Sequence, residues 1–210
     1  MKNFSKAGLL IITLVIPALI FIFLKFFARN HYDLPYYFPK RDGQGKVVFK
    51  NKDTVFYTFD NICRPLQAPV ITNKLTVVSS LPEKCDDNCR LVIAQLQRIN
   101  TLGNEITELN LLTLSEFGKP KDNSFPEEIG KGRWQLVNIA RNEIDSCFRI
   151  DLAFQASVEG MVIPIEERLI LIDREGYIRG YYNGTKVAET DRLMAEIKIL
   201  KYENEESANQ

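Results

Sequence analysis

From Asn73 to Ile99 the chain reads NKLTVVSSLPEKCDDNCRLVIAQLQRI. Asn73–Ser80 is short, β-rich and followed by a polar loop, which predicts a buried strand. The pattern turns helical at Asp86. Val92, Leu96 and Ile99 recur at i, i+4 and i+7, and Asp86, Asp87 and Asn88 supply a cap and first-turn acids. Between strand and helix stand Cys85 and Cys89, the only closely spaced pair among Cys63, Cys85, Cys89 and Cys147. In an ideal helix, residues i and i+4 have Cβ atoms about 5–6 Å apart, whereas a disulfide needs about 3.5–4.5 Å. An oxidised pair therefore requires Cys85 in the loop, folded back over the first turn of the helix.

That placement sets Cys85 at the positive end of the helix dipole, which favours thiolate. Two converging thiolates have two chemical uses: exchange with a disulfide, or clamping a soft metal such as Cu(I). A plain stabilising disulfide and two unrelated thiols are the bland readings of the same spacing. Zinc would want four ligands, which the spacing does not offer. Cys63 and Cys147 either form a second disulfide or stay as separate buried thiols.

Working outward, residues 30–46 are rich in Pro, Gly, Tyr and charge and read as an extended linker with a turn at Asp42-Gly43. Val47–Lys50 and Thr54–Thr58 predict a hairpin around Asn51-Lys52-Asp53. Downstream, strands are expected at Glu105–Leu114 and Trp134–Ile139, and a helical turn at Glu143–Phe148. A hairpin of Leu169–Asp173 with Tyr177–Tyr182 follows, then an amphipathic helix over Glu189–Leu200. The order strand, cysteine loop, helix, strand, hairpin, helix predicts an α/β layered domain. Trp134 reads as core packing, Asn183-Gly184-Thr185 as turn chemistry rather than a glycosylation site, and Glu203 onward as a polar, frayed tail.

Composition narrows the chemistry. The chain has 210 residues, 27 basic and 27 acidic, and one histidine, His31. Zero net charge argues against a general nucleic-acid binder. A single imidazole excludes a His-rich zinc centre and an HExxH metalloprotease. The balance divides unevenly: residues 1–29 hold four basic side chains and no acid, leaving 23 basic and 27 acidic for the rest. Leu9–Leu24 (LLIITLVIPALIFIFL) is uncharged, and Phe26–Ala28 continues its apolar character past Lys25. Such a run spans a hydrocarbon core of roughly 30 Å if Lys25 snorkels, and Pro17 is tolerated there. A cleaved signal peptide is the competing reading, but Lys25-Phe26-Phe27-Ala28 puts a bulky residue where a small one is expected. The expectation is an uncleaved anchor. Tyr36, Tyr37 and Phe38 beyond it suit an interfacial belt or domain packing.

Four features together resemble the Sco/SenC proteins, membrane-anchored thioredoxin-like copper chaperones of cytochrome c oxidase assembly. They are the single anchor, the strand–CxxxC–helix unit at Leu75–Ile99, the ending Leu169-Ile-Leu-Ile-Asp-Arg-Glu-Gly176-Tyr-Ile-Arg-Gly180-Tyr-Tyr-Asn-Gly184-Thr, and the final helix. The resemblance covers roughly Leu34–Leu200. It implies a thioredoxin-like domain over 47–202, preceded by a membrane anchor over 1–28 and a linker over 29–46, with a polar tail over 203–210. It implies copper held by Cys85 and Cys89, an oxidase copper subunit and a thiol–disulfide protein as partners, and a single-pass protein. Cysteine usage places the domain on the extracytoplasmic side. The family's metal-binding histidine falls near Ile165, in the stretch Ile163-Pro164-Ile165-Glu166-Glu167-Arg168, and is missing. His31 does not carry over to it. Glu166, Glu167 and Met161 are the candidates for a third ligand. For Pro164 the resemblance suggests the role of the proline that often faces the cysteines in thioredoxin-like folds, and a simple loop proline is the alternative. Without copper, the same residues imply a thiol–disulfide oxidoreductase with Cys85 attacking and Cys89 resolving. A non-redox, membrane-anchored interaction protein is the further alternative.

Overall fold

The computed structural model describes residues 8, 13–23, 34–59, 73–116, 125–152, 157–158, 161–162 and 164–208. His31 and Cys63 lie outside these residues, as do the side chains of Met161 and Val162. The chain divides into two compact units, Met1–Asp33 and Leu34–Gln210. In the first, residues 13–23 form a helix, α1, whose side chains are exposed. Among the described residues no helix is long and apolar enough to cross a membrane.

Among the described residues, the second unit has nine strands: β1 (Phe49–Lys50), β2 (Asp53–Thr54), β3 (Leu75–Leu81), β4 (Leu109–Ser115), β5 (Trp134–Asn138), β6 (Ser157–Val158), β7 (Met161–Val162), β8 (Arg168–Ile172) and β9 (Ile178–Asn183). Its helices are α2 (Asp87–Leu102), α3 (Arg141–Ser146) and α4 (Val187–Ala208). A π-helical turn over Cys147–Asp151 continues α3, and a 3-10 turn over Ile165–Glu167 precedes β8. Five strands form one sheet in the order β5-β4-β3-β8-β9. β3, β4 and β5 run parallel, β8 runs antiparallel to β3, and β9 antiparallel to β8. This mixed sheet, with a CxxxC helix leaving its central strand, is a thioredoxin-like fold.

Both faces of the sheet are covered, so β3, β4 and β8 are buried along their whole lengths. Alternate residues serve two cores. Leu75, Val77, Leu111, Leu169 and Leu171 join Val92, Leu96 and Ile99 of α2 and Leu193, Ile197 and Leu200 of α4. Val78, Leu112, Leu114, Ile170 and Ile172 join Ile144 and Phe148 on the other side. One group of polar side chains within the sheet pairs internally. Ser79 and Thr113 lie 2.9 Å apart, and Trp134 Nε1 donates to Thr113 Oγ1 at 2.9 Å.

The elements differ from expectation in several places. The expected hairpin strands Val47–Lys50 and Thr54–Thr58 pair only over Phe49–Lys50 and Asp53–Thr54. β4 starts at Leu109 rather than Glu105 because Glu105 and Ile106 amides turn back to the Leu102 carbonyl, and Ile106 is buried. α4 does not end at Leu200 but runs on through the acidic stretch, where Glu203 reaches Arg179. Leu34–Lys46 is no open linker. Tyr37 N donates to Ile178 O, Val48 N to Lys40 O, and Arg179 Nη2 to Leu34 O.

Candidate thiol–disulfide site

β3, the central strand, ends at Leu81, and Pro82-Glu83-Lys84 carries the chain beyond that end of the strand to Cys85. Asp86 is the N-cap of α2: its extended backbone admits the turn, and its carboxylate accepts the Cys89 amide at 2.9 Å. Cys85 thus sits one residue before the cap and Cys89 inside the first turn. The two form a disulfide with Cα atoms 5.2 Å apart. The geometry is the one that the spacing demands, with Cys85 folded back over the helix start.

The two sulfurs have unlike surroundings. Cys89 is 4 % exposed and belongs to the core beneath α2. Cys85 is half-buried and flanked by the exposed residues Lys84, Asp86 and Asp87. Attack from outside can therefore reach Cys85 and not Cys89. An attacking group meets the amide ends of a 16-residue helix, which stabilise negative charge there.

The 3-10 turn Ile165–Glu167 packs against both β3 and α2. Asn88, between the two cysteines, donates Nδ2 to Glu167 Oε1 at 2.8 Å. Glu166 is ion-paired with Arg141, and the Glu167 carbonyl accepts the Gly184 amide at 2.7 Å. Arg168, next in the chain, is buried. Burial pushes its guanidinium down from its ordinary pKa, opposed by Glu189. Sequence reasoning named Glu166 and Glu167 but not the Asn88 link or Arg141. A contact between residues 79 positions apart leaves no local signal.

The copper-family donor set of two sulfurs and one imidazole does not fit this arrangement. Ile165, at the histidine's place, is buried among Val78, Leu112 and Ile170 on the far side of the sheet. The Glu166 and Glu167 carboxylates are engaged by Arg141 and Asn88. Among the described residues, no three His, Cys, Asp or Glu side chains form a group that could hold a metal. Pro164 is exposed and opens the turn. Cys147 is buried at the start of the π-helical turn and is disulfide-bonded. Trp134 is wholly buried, and Asn183 Oδ1 caps the Thr185 amide at 2.9 Å, as its turn role requires.

No family model and no curated protein matches the sequence. Solved structures do resemble it. A SCO1/SenC family lipoprotein from Bacillus anthracis is 17 % identical, with a TM-score of 0.49 over 62 % of this chain and 83 % of its own. BsSco, a member of the Sco family of cytochrome c oxidase assembly proteins with a disulfide switch, is 14 % identical, with a TM-score of 0.47 over 69 % and 95 %. Peroxiredoxin Q from Xanthomonas campestris is 20 % identical, with a TM-score of 0.39 over 61 % and 80 %.

Proposed function

We propose that this protein is a thiol–disulfide oxidoreductase working through Cys85 and Cys89 on the extracytoplasmic side of a membrane. The observation that carries the reading is the asymmetry of the pair: a reachable sulfur at a helix N-terminus, bonded to a buried one. In the reduced protein the Cys85 thiolate attacks a partner's disulfide, forming a mixed disulfide and releasing one partner thiolate. The Cys89 thiolate then attacks the Cys85 sulfur. The Cys85–Cys89 bond forms, the second partner thiolate leaves, and two electrons have passed to the partner. Run backwards, the same steps oxidise a partner dithiol.

Equilibration with thiol buffers tests this. The expected reduction potential lies above about −300 mV, the range of exchanging pairs, and a lower value marks a structural disulfide instead. Cys89→Ser should accumulate a stable mixed disulfide at Cys85, and Cys85→Ser should not.

Copper as a cargo on the same two sulfurs, for an oxidase copper subunit, is the second reading. Cu(I) accepts two-coordinate sulfur, and the reduced pair converges at one reachable point. Anaerobic Cu(I) titration of the reduced protein separates the readings. One tight equivalent, lost in both Cys→Ser variants, supports cargo binding, and no binding removes it.

A further inference from the structure

Opening the Cys85–Cys89 bond removes the covalent link between the loop and the first turn of α2. The two sulfurs then stay together only as well as that turn is held. Asp86 winds the turn on itself by accepting the Cys89 amide at 2.9 Å, a local bond. Asn88, between the cysteines, reaches further and donates Nδ2 to Glu167 Oε1 at 2.8 Å. Among the described residues, this is the only side-chain hydrogen bond or ion pair that joins residues 82–90 to another element.

The acceptor is a fixed point. Glu167 closes the 3-10 turn Ile165–Glu167, and its amide bonds back to the Pro164 carbonyl at 3.1 Å. Its carbonyl receives the amide of Gly184, just after β9, at 2.7 Å. Gly184 leaves little room there: a Cβ would lie 3.2 Å from both Leu169 Cγ and Val92 Cγ2. Turn, sheet and α2 therefore meet at one tight junction. On the other side Glu166 is ion-paired with Arg141 at the start of α3. The Glu167 carboxylate thus leaves a backbone held from both sides, so a bond to it limits where Asn88 can go.

We propose that Asn88 and Glu167 are positioning residues for the resolving step: their bond holds the first turn of α2 once the disulfide is open, so that the Cys89 sulfur stays within reach of Cys85. The inference rests on the exchange reading above and names what makes its second step fast. In that step the Cys89 thiolate, its proton given to solvent, attacks the Cys85 sulfur of the mixed disulfide. The Cys85–Cys89 bond forms, and the partner's thiolate leaves with the electron pair of the broken bond. Geometry enters as the effective concentration of one sulfur at the other. A loosened turn lowers that concentration, slows closure of the disulfide and favours the dithiol, so the reduction potential rises. The first attack by Cys85 on a partner is bimolecular and does not draw on the contact.

The test follows the reduced full chain reacting with Ellman's reagent, an aryl disulfide that releases one coloured thiolate for each thiol that attacks. The first release scales with reagent concentration and reports Cys85. The second does not, and reports closure by Cys89. Any release that persists in Cys85→Ser/Cys89→Ser comes from the other disulfide, that of Cys147, and is subtracted. Asn88→Ala and Glu167→Ala should each slow the second release about tenfold and leave the first unchanged, with the potential raised by about 30 mV, the equivalent of a tenfold change in equilibrium. Glu167→Gln keeps an accepting oxygen and should restore the parental rate. Asn88→Ala/Glu167→Ala should be no slower than either single variant. Asn88 is exposed, so water replaces the lost partner and melting temperatures should hold. Parental second-release rates in both alanine variants overturn this inference alone. A second release as slow in Glu167→Gln as in Glu167→Ala does the same, and so does equal slowing of both releases with a lowered melting temperature. A parent that releases nothing beyond Cys85→Ser/Cys89→Ser overturns the exchange reading and this inference together.

Discussion

Asp86 acts on the disulfide in two opposed ways. Its carboxylate caps α2 by accepting the Cys89 amide at 2.9 Å, which keeps the first turn wound beneath Cys85. Its negative charge, one residue from Cys85, opposes thiolate formation there. The two effects separate by substitution. Asp86→Asn keeps a capping oxygen and removes the charge, so the Cys85 thiol should become more acidic with stability nearly unchanged. Asp86→Ala removes both and should cost about 1 kcal/mol, or roughly 2–4 °C in melting temperature for a chain of this size. Rates of alkylation against pH, measured on the reduced protein, read the first effect, and thermal melts read the second. If Asp86→Asn leaves the alkylation profile unmoved, the charge does not reach the sulfur.

At the scale of elements, α4 is fastened to β9 by a buried tyrosine. Tyr182 is wholly buried, its hydroxyl donates to Glu196, and Arg192 lies 4.5 Å from its ring centre. Burial first, and then the hydrogen bond to Glu196, push its pKa far above the ordinary tyrosine value. Burial does the same to Tyr181. With the folded pKa raised, these groups contribute full stability below the unfolded value near 10, and that contribution is lost as pH rises beyond it. Urea midpoints should therefore be insensitive to these two groups up to about pH 10 and fall above it, and Tyr182→Phe should flatten the fall. An unchanged alkaline slope in that variant would refute the assignment. None of this fastening was legible in the sequence, although Leu193, Ile197 and Leu200 marked the helix face that it secures. Periodicity reports apolar faces, and that is why β3, α2 and the β8–β9 hairpin were found close to their observed limits. It is silent on Tyr182–Glu196 and on Asn88–Glu167, where polar groups meet across the fold. The far end of α4 was missed because an acidic stretch reads as a tail until Arg179 is seen beneath Glu203.

For the molecule as a whole, an exchanging disulfide demands a fold that stands in both redox forms. The sheet supplies that independence. Its two cores are filled by residues of five strands and three helices, and Cys85 only packs against the edge of one of them. The Cys85–Cys89 bond closes a short loop, five residues counting both cysteines. Loop-closure entropy for so few residues is worth about 2 kcal/mol. The double variant Cys85→Ala/Cys89→Ala should then melt roughly 4–8 °C below the oxidised parent. Its unfolding should remain cooperative, with the near-ultraviolet signature of buried Trp134 intact. Reductant alone would be ambiguous, because Cys147 is disulfide-bonded as well, so the substitution is the cleaner measurement. A far larger loss, or a non-cooperative melt, would make the pair a structural staple. An element that the fold cannot do without is poorly suited to being opened on every catalytic cycle.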